Sequence, residues 1–277
     1  MSAPSNEPSR VPQARVYERN LIAFAKDFAI ACGGGVITDD PGARLCYCPG
    51  MEFCNGVVSP KWTSETASDR LRAAIHRFKD ANNGMLFLLG PSTRPANLRE
   101  HLLGVGAHCT YHVPLMHLDR ANFVARVPQP KGIVLRWLKG MSAFKQQPHP
   151  WFGRGRTVNS RSRFQGLDTL TTARRPRAWQ IVAYAREIPV GTVTLYKHQK
   201  SFGVYFVCVE RAQRRRGIGT ALMHAACAFA FDQGASAIGL GASGKGVGMY
   251  RKVGFAVVWH GSEFFLSRTK VHAFTNS

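Results

Sequence analysis

VYFVCVERAQRRRGIGTALMHAACAFAFDQ occupies residues 204–233. Its first part, Val204 to Val209, is β-branched, aromatic and apolar, and reads as a strand. A basic turn with two glycines follows, Arg214-Arg215-Arg216-Gly217-Ile218-Gly219. From about Thr220 to Asp232 the chain is apolar and alanine-rich, as in a buried helix, and Gly234 ends it. Glycines let backbone N–H groups come close to a ligand, and a helix start carries the positive end of its dipole. Three arginines add positive charge at the same place. A pyrophosphate suits such a site. The spacing Arg-x-x-Gly-x-Gly is neither the Gly-x-Gly-x-x-Gly of a dinucleotide fold nor the Gly-Lys-Ser/Thr of a P-loop.

The flanks extend this unit. Trp179–Tyr184 and Val190–Tyr196 read as strands joined by a turn at Arg186-Glu187-Ile188-Pro189, and pair with 202–209 as an antiparallel meander. Downstream come a strand over 235–241, a short helix near 247–252 and a strand over 254–259. Upstream, Gly132 to Trp137 reads as a strand and residues 145–178 as irregular chain. Further back, Val16 to Cys32 has helical periodicity, with Leu21, Phe24, Ala25 and Phe28 on one face, and Gly33-Gly34-Gly35 stops it. Strands are expected over 35–38, 44–48 and 53–58. A helix over 63–82 with Leu71, Ala74, Ile75 and Phe78 inward, a strand over 84–90, a short helix over 97–104 and a strand over 107–118 follow. The order helix, strand, short helix, strand thus occurs twice, which suggests a diverged tandem repeat. The first copy has no glycine turn before its helix, only NGVVSPKWTS.

The glycine turn resembles the acyl-CoA pyrophosphate loop of the GNAT superfamily of N-acetyltransferases. A second segment, ASGKGVGMYRKVGF over residues 242–255, is similar to that family's Tyr-x-x-x-Gly-Phe segment. The resemblance covers residues 132–268 and implies an α/β protein with tandem GNAT-like domains. Each would be a mixed, mostly antiparallel sheet flanked by helices. Residues 1–13 would be a disordered tail, 14–126 a degenerate GNAT-like half, 127–131 a linker and 132–277 the catalytic domain. NGVV, LGPSTRP and PLMHL carry the likeness of the first half.

That resemblance also implies roles. Val207, Cys208 and Val209 would offer strand-edge backbone groups to the pantetheine arm of acetyl-CoA. Backbone N–H groups of Arg215, Arg216, Gly217, Ile218, Gly219 and Thr220 would hold the pyrophosphate, helped by the side chains of Arg214 and Arg216. Tyr250 would protonate the departing thiolate, because a phenol stays protonated at neutral pH. The Val209 amide would stabilise the oxyanion. Ser243 stands where many members have Asn. Glu210 is the first candidate for the base that takes the proton of the amine, ahead of Glu187 and Asp168. The expected reaction is acetyl transfer from acetyl-CoA to a small-molecule primary amine, with detoxification of an antibiotic or toxin as one setting. A protein acceptor, or a silent CoA- or nucleic-acid-binding module, is the alternative.

Charge bears on the acceptor. Residues 129–277 carry 23 Lys and Arg against 5 Asp and Glu, whereas residues 1–128 carry 14 against 11. Residues 145–178 hold Lys145 and seven arginines with one acid, Asp168. An anionic, amino-acid- or peptide-like acceptor is the expectation. A nucleic-acid partner is disfavoured, since aromatics there are few beyond Trp151, Phe152 and Phe164. No apolar run is long enough to span a bilayer and the start lacks a signal-peptide core, so a cytoplasmic protein is expected. A homodimer stays open. Seven irregularly spaced cysteines form no disulfide framework. Cys46, Cys48 and Cys54 with His101, His108, Cys109 and His112 do not match zinc-ligand spacing, and no metal is expected.

Overall fold

The computed structural model describes residues 7–37, 42–47, 55–79, 84–144, 149 and 158–275. Eleven strands form one sheet: β1 (Gly35–Ile37), β2 (Arg44–Tyr47), β3 (Gly56–Val58), β4 (Met85–Leu89), β5 (His108–Asp119), β6 (Val134–Leu138), β7 (Ala178–Ala185), β8 (Ile188–His198), β9 (Ser201–Val209), β10 (Ala237–Gly241) and β11 (Ala256–Leu266). The helices are α1 (Val11–Ala31), α2 (Ala67–Arg77), α3 (Leu98–Gly104), α4 (Val158–Thr172), α5 (Ile218–Asp232), α6 (Val247–Arg251) and α7 (Arg268–Thr275). The strand order is β1-β2-β3-β4-β11-β5-β10-β9-β8-β7-β6. Only β3 with β4 and β9 with β10 pair in parallel among the described strands, so the sheet is mixed and mostly antiparallel.

The expected repeat is present in the element order. β3, α2, β4, α3, β5 runs in parallel with β9, α5, β10, α6, β11. The last strand of each copy is lodged against the other copy. β5 lies between β10 and β11, while β11 lies between β4 and β5. Asp119 to Leu115 face Ala237 to Gly241 on one side, and His117 to His108 face Ala256 to Phe265 on the other. Hydrogen bonding therefore crosses the 127–131 stretch, which itself carries no helix or strand.

Apolar faces explain the layers. α5 lays Ile218, Leu222, Met223, Ala226 and Ala230 on Val193, Leu195, Phe202 and Ile238. α2, α3 and α7 cover the β3–β4–β11 region through Leu71, Ile75, Leu98, Leu102 and Val271. The opposite face of the meander is covered by α1 and α4, through Phe24, Phe28 and Leu167 against Val182, Tyr196, Tyr205 and Phe206. Asn20 pins α1 to the meander: its Nδ2 donates to the Tyr196 carbonyl at 3.2 Å, and its Oδ1 accepts from the Tyr205 hydroxyl at 2.8 Å. Asp27 accepts from the Tyr196 hydroxyl at 2.5 Å and pairs with Arg177 at 2.7 Å.

Three expectations need correction. The chain expected to be disordered over 1–13 is helical from Pro8, where a 3-10 turn leads into α1; residues 1–6 lie outside the described residues. Residues 145–178 are not irregular throughout, because α4 fills 158–172. Its sequence is a poor helix former, and what holds it is α1: Gly166 lies so close that a Cβ there would strike Cys32 Sγ, and Phe28 Cε2 at 2.9 Å. β11 runs to Leu266, well past residue 259, because strands on both sides supply partners.

Candidate active site

The two parallel pairs behave differently. In the first, Gly56, Val57 and Val58 face Leu86, Phe87 and Leu88, and pairing continues through the Ser59 N–H to Leu88 O at 2.8 Å and the Lys61–Arg94 bridge. In the second, only Ser201, Phe202 and Gly203 face Ala237, Ile238 and Gly239. Beyond that vertex β10 is held by β5 and β9 by β8, so the edge of β9 from Val204 onward, on the side away from β8, has no strand neighbour among the described residues.

A bulge turns that edge. Thr192 faces Cys208 and Thr194 faces Tyr205, so Phe206 and Val207 together oppose Val193. Phe206 takes φ +51°, a left-handed value unusual for a bulky residue. The Val209 carbonyl accepts from Arg214 Nε at 2.9 Å on the side away from β8, whereas the next amide, Glu210, donates to Val190 O at 2.8 Å. Backbone groups alternate sides along a strand, so the Val209 N–H shares the open side with its carbonyl.

The glycine turn stands at the mouth of this gap. Arg215 at φ +66° and Gly217 at φ +82° bend it, and α5 begins at Ile218 with no side chain capping its first amides. Uncapped amides with a helix dipole behind them are an anion site. Gly219 is tight: a Cβ there would meet Met249 Sδ at 2.5 Å. Arg214, Arg215 and Arg216 are exposed, while the Ile218 side chain is in the core, leaving only its amide for a ligand. Arg216 also donates to Gln213 and to the Lys131 carbonyl.

Tyr250 is buried at the end of α6 and packs on Phe255. Burial pushes its phenol up to about 12. Ser243 is exposed, and a Cβ at Gly246 would touch both Tyr250 Cε2 at 2.8 Å and Ser243 Oγ at 3.2 Å, which puts the two side chains around one glycine. Tyr111 of β5 anchors that loop, donating to Ala242 O at 3.2 Å and accepting from the Gly244 N–H. Burial raises the Cys208 thiol despite the opposing Arg214, which makes it a poor nucleophile. Glu210, the residue directly after β9, raises the Cys208 thiol further.

Sequence reasoning did not single out Tyr17. It sits on α1, its Cβ so close to Gly239 that a Cβ there would be 2.7 Å away, and its phenol takes a hydrogen bond from the Gly241 amide. Burial raises it, and Tyr250 is near enough to raise it further. The clue was available: Tyr17 precedes Leu21, Phe24 and Phe28 on one helical face. Glu187, a weaker base candidate, is drawn away into an exposed pair with Arg136, and Asp168 caps the Met141 amide at 2.7 Å. Among the described residues no three His, Cys, Asp or Glu gather as metal ligands; Cys48 and Cys54 lie outside them. No described helix is long and apolar enough to cross a membrane.

The sequence matches the model of the acetyltransferase (GNAT) family over residues 143–255. A GCN5-related N-acetyltransferase from Kribbella flavida superposes with TM-score 0.63 at 15% identity, over 88% of this chain and 94% of that one. A tandem GNAT protein from the clavulanic acid biosynthesis pathway gives 0.59 at 15% identity, over 82% and 78%. A GCN5-related N-acetyltransferase from Sphaerobacter thermophilus gives 0.57 at 16% identity, over 76% and 71%. The search of curated proteins returned no match. Residues 143–255 belong to the acetyltransferase (GNAT) family, and the chain around them has the α/β fold of tandem GNAT proteins.

Proposed function

We propose that the protein transfers an acetyl group from acetyl-CoA to a primary amine of a small molecule. The observation that carries this reading is the parting of β9 and β10 after Gly203 and Gly239, with the uncapped start of α5 at its mouth. In this reading the amides of residues 215–220 and the Arg214 and Arg216 side chains take the pyrophosphate. The open edge of Val207, Cys208 and Val209 takes the pantetheine arm, with Ser243 as a hydrogen-bonding contact. The amine nitrogen attacks the thioester carbon, with the Val209 amide facing the developing oxyanion. As the carbon–sulfur bond breaks, Tyr250 gives its proton to sulfur. Glu210 receives the proton lost by the amine. Residues 132–277 do this chemistry, 127–131 link the halves, and 14–126 form a half without a donor site, consistent with the unbroken β3–β4 pairing.

The expected anionic acceptor rested on the arginines of 145–178, many of which lie outside the described residues or side chains.

Titration calorimetry with CoA and thiol release from acetyl-CoA with an amine panel test the proposal. Heat with CoA together with amine-dependent thiol release is the expected result. Heat without turnover leaves a silent binding module, turnover only with peptide amines makes the acceptor a protein, and no heat at millimolar CoA overturns the reading.

A further inference from the structure

A cavity of about 170 Å³ lies between α1 and the ends of β4, β5 and β11, and reaches β10 at Gly241. Its walls are chiefly apolar, from Leu21, Leu88, Leu89, Val113 and Leu115. One acid is built into it. Glu18 is 3% exposed, and its Oε1 accepts from the Ser92 amide at 3.0 Å. No Lys or Arg pairs with it among the described residues. A second carboxylate, Glu263, lines the cavity while accepting from the Thr110 hydroxyl at 2.6 Å. The far end is formed by Tyr17 and by Gly241, which lies on β10 two residues beyond Gly239, the last position that faces β9.

A carboxylate buried among leucines with one amide donor is poorly solvated, and a cation is the partner that compensates it. A cavity of about 150 Å³ takes a molecule of roughly six heavy atoms. We propose that this cavity binds the non-reacting end of the acceptor, a short apolar chain ending in a protonated nitrogen held by Glu18. The inference rests on the acetyl-transfer reading, and it names the substrate class as small diamines or comparable amino cations. Methylene groups lie on the leucines and valine, one ammonium meets Glu18, and the other nitrogen emerges past Tyr17 toward the gap.

Three compounds of one length test this: 1,5-diaminopentane, pentylamine and 5-aminopentanoate. The diamine should exceed pentylamine by about 10- to 100-fold in kcat/KM, as for a charged hydrogen bond, and 5-aminopentanoate should be poorest. Glu18→Gln should raise KM for the diamine far more than it lowers kcat, and erase its advantage over pentylamine. Equal use of the three, preference for 5-aminopentanoate, or an advantage that survives Glu18→Gln would overturn the inference. Calorimetry of the same compounds on CoA-loaded protein reads the preference without turnover. CoA heat and thiol release with any amine report on the acetyl-transfer reading separately. If Glu18→Gln lacks a cooperative melt, Leu88→Phe narrows the cavity with the acid in place; undiminished diamine binding in that variant sinks the idea equally.

Discussion

Gly203 of β9 and Gly239 of β10 are the last facing residues of their two strands, and the sheet opens beyond them. Neither tolerates a side chain. At Gly239 it would meet Tyr17, and at Gly203 it would meet Asn20 Oδ1 and the Tyr205 hydroxyl at 2.6 Å. α1 therefore packs against the vertex itself. Gly203→Ala should cost about 1–3 kcal/mol, the usual range for overpacking. A melting temperature equal to that of the wild type would show that α1 does not set the vertex.

The interlocked strands predict that residues 132–277 do not fold alone. Without β5, β10 and β11 each lose a partner along most of their length, and buried Met116 and Leu118 leave the core. The isolated segment should be insoluble or lack a cooperative melt, and adding residues 104–122 as a peptide should recover structure. A soluble segment with a sharp melt would contradict the interlock.

Gly217→Val tests the anion site. A β-branched residue at φ +82° costs about 1–2 kcal/mol or more and displaces the uncapped amides. CoA affinity should fall about tenfold or more by calorimetry, whereas Gly106→Ala, also at positive φ but in the turn between α3 and β5, should leave it alone.

Tyr250→Phe removes the acid but keeps the packing on Phe255. A loss of about 100-fold in kcat with CoA affinity nearly constant is expected for a general acid. Because burial moves this phenol to about 12, the wild-type rate should not decline from Tyr250 ionisation before about pH 11. A rate limb near pH 10 that vanishes in the variant would contradict that environment.

His149 gives an acid signature. It is fully buried, burial lowers it to about 3, and its Nε2 lies 3.0 Å from Gln180 Nε2, the amide donating to an unprotonated ring nitrogen. The unfolded chain takes up a proton below about 6.5 and the folded one does not, so stability is full above that pH and declines as pH falls toward 3. The slope is at most about 1.4 kcal/mol per pH unit. Denaturant melts from pH 7 to 4 should show it, and His149→Asn should flatten it; an identical slope in the variant would assign the effect elsewhere.

Sequence alone determined what local pattern carries: the strand, glycine turn and helix over 204–233, the Tyr250 segment, the twofold order of elements and the family they indicate. These depend on neighbours within one turn or one strand, where periodicity and glycine chemistry are decisive. Tertiary structure decided the rest. β5 and β11 exchange places because strand pairing depends on distant partners that no local period specifies. α4 exists because α1 offers it a surface, against the preference of its own residues. Glu18, one position from Tyr17 on an amphipathic helix, reads as a solvent-facing charge, and only the packing of α1 over two parts of the sheet buries it.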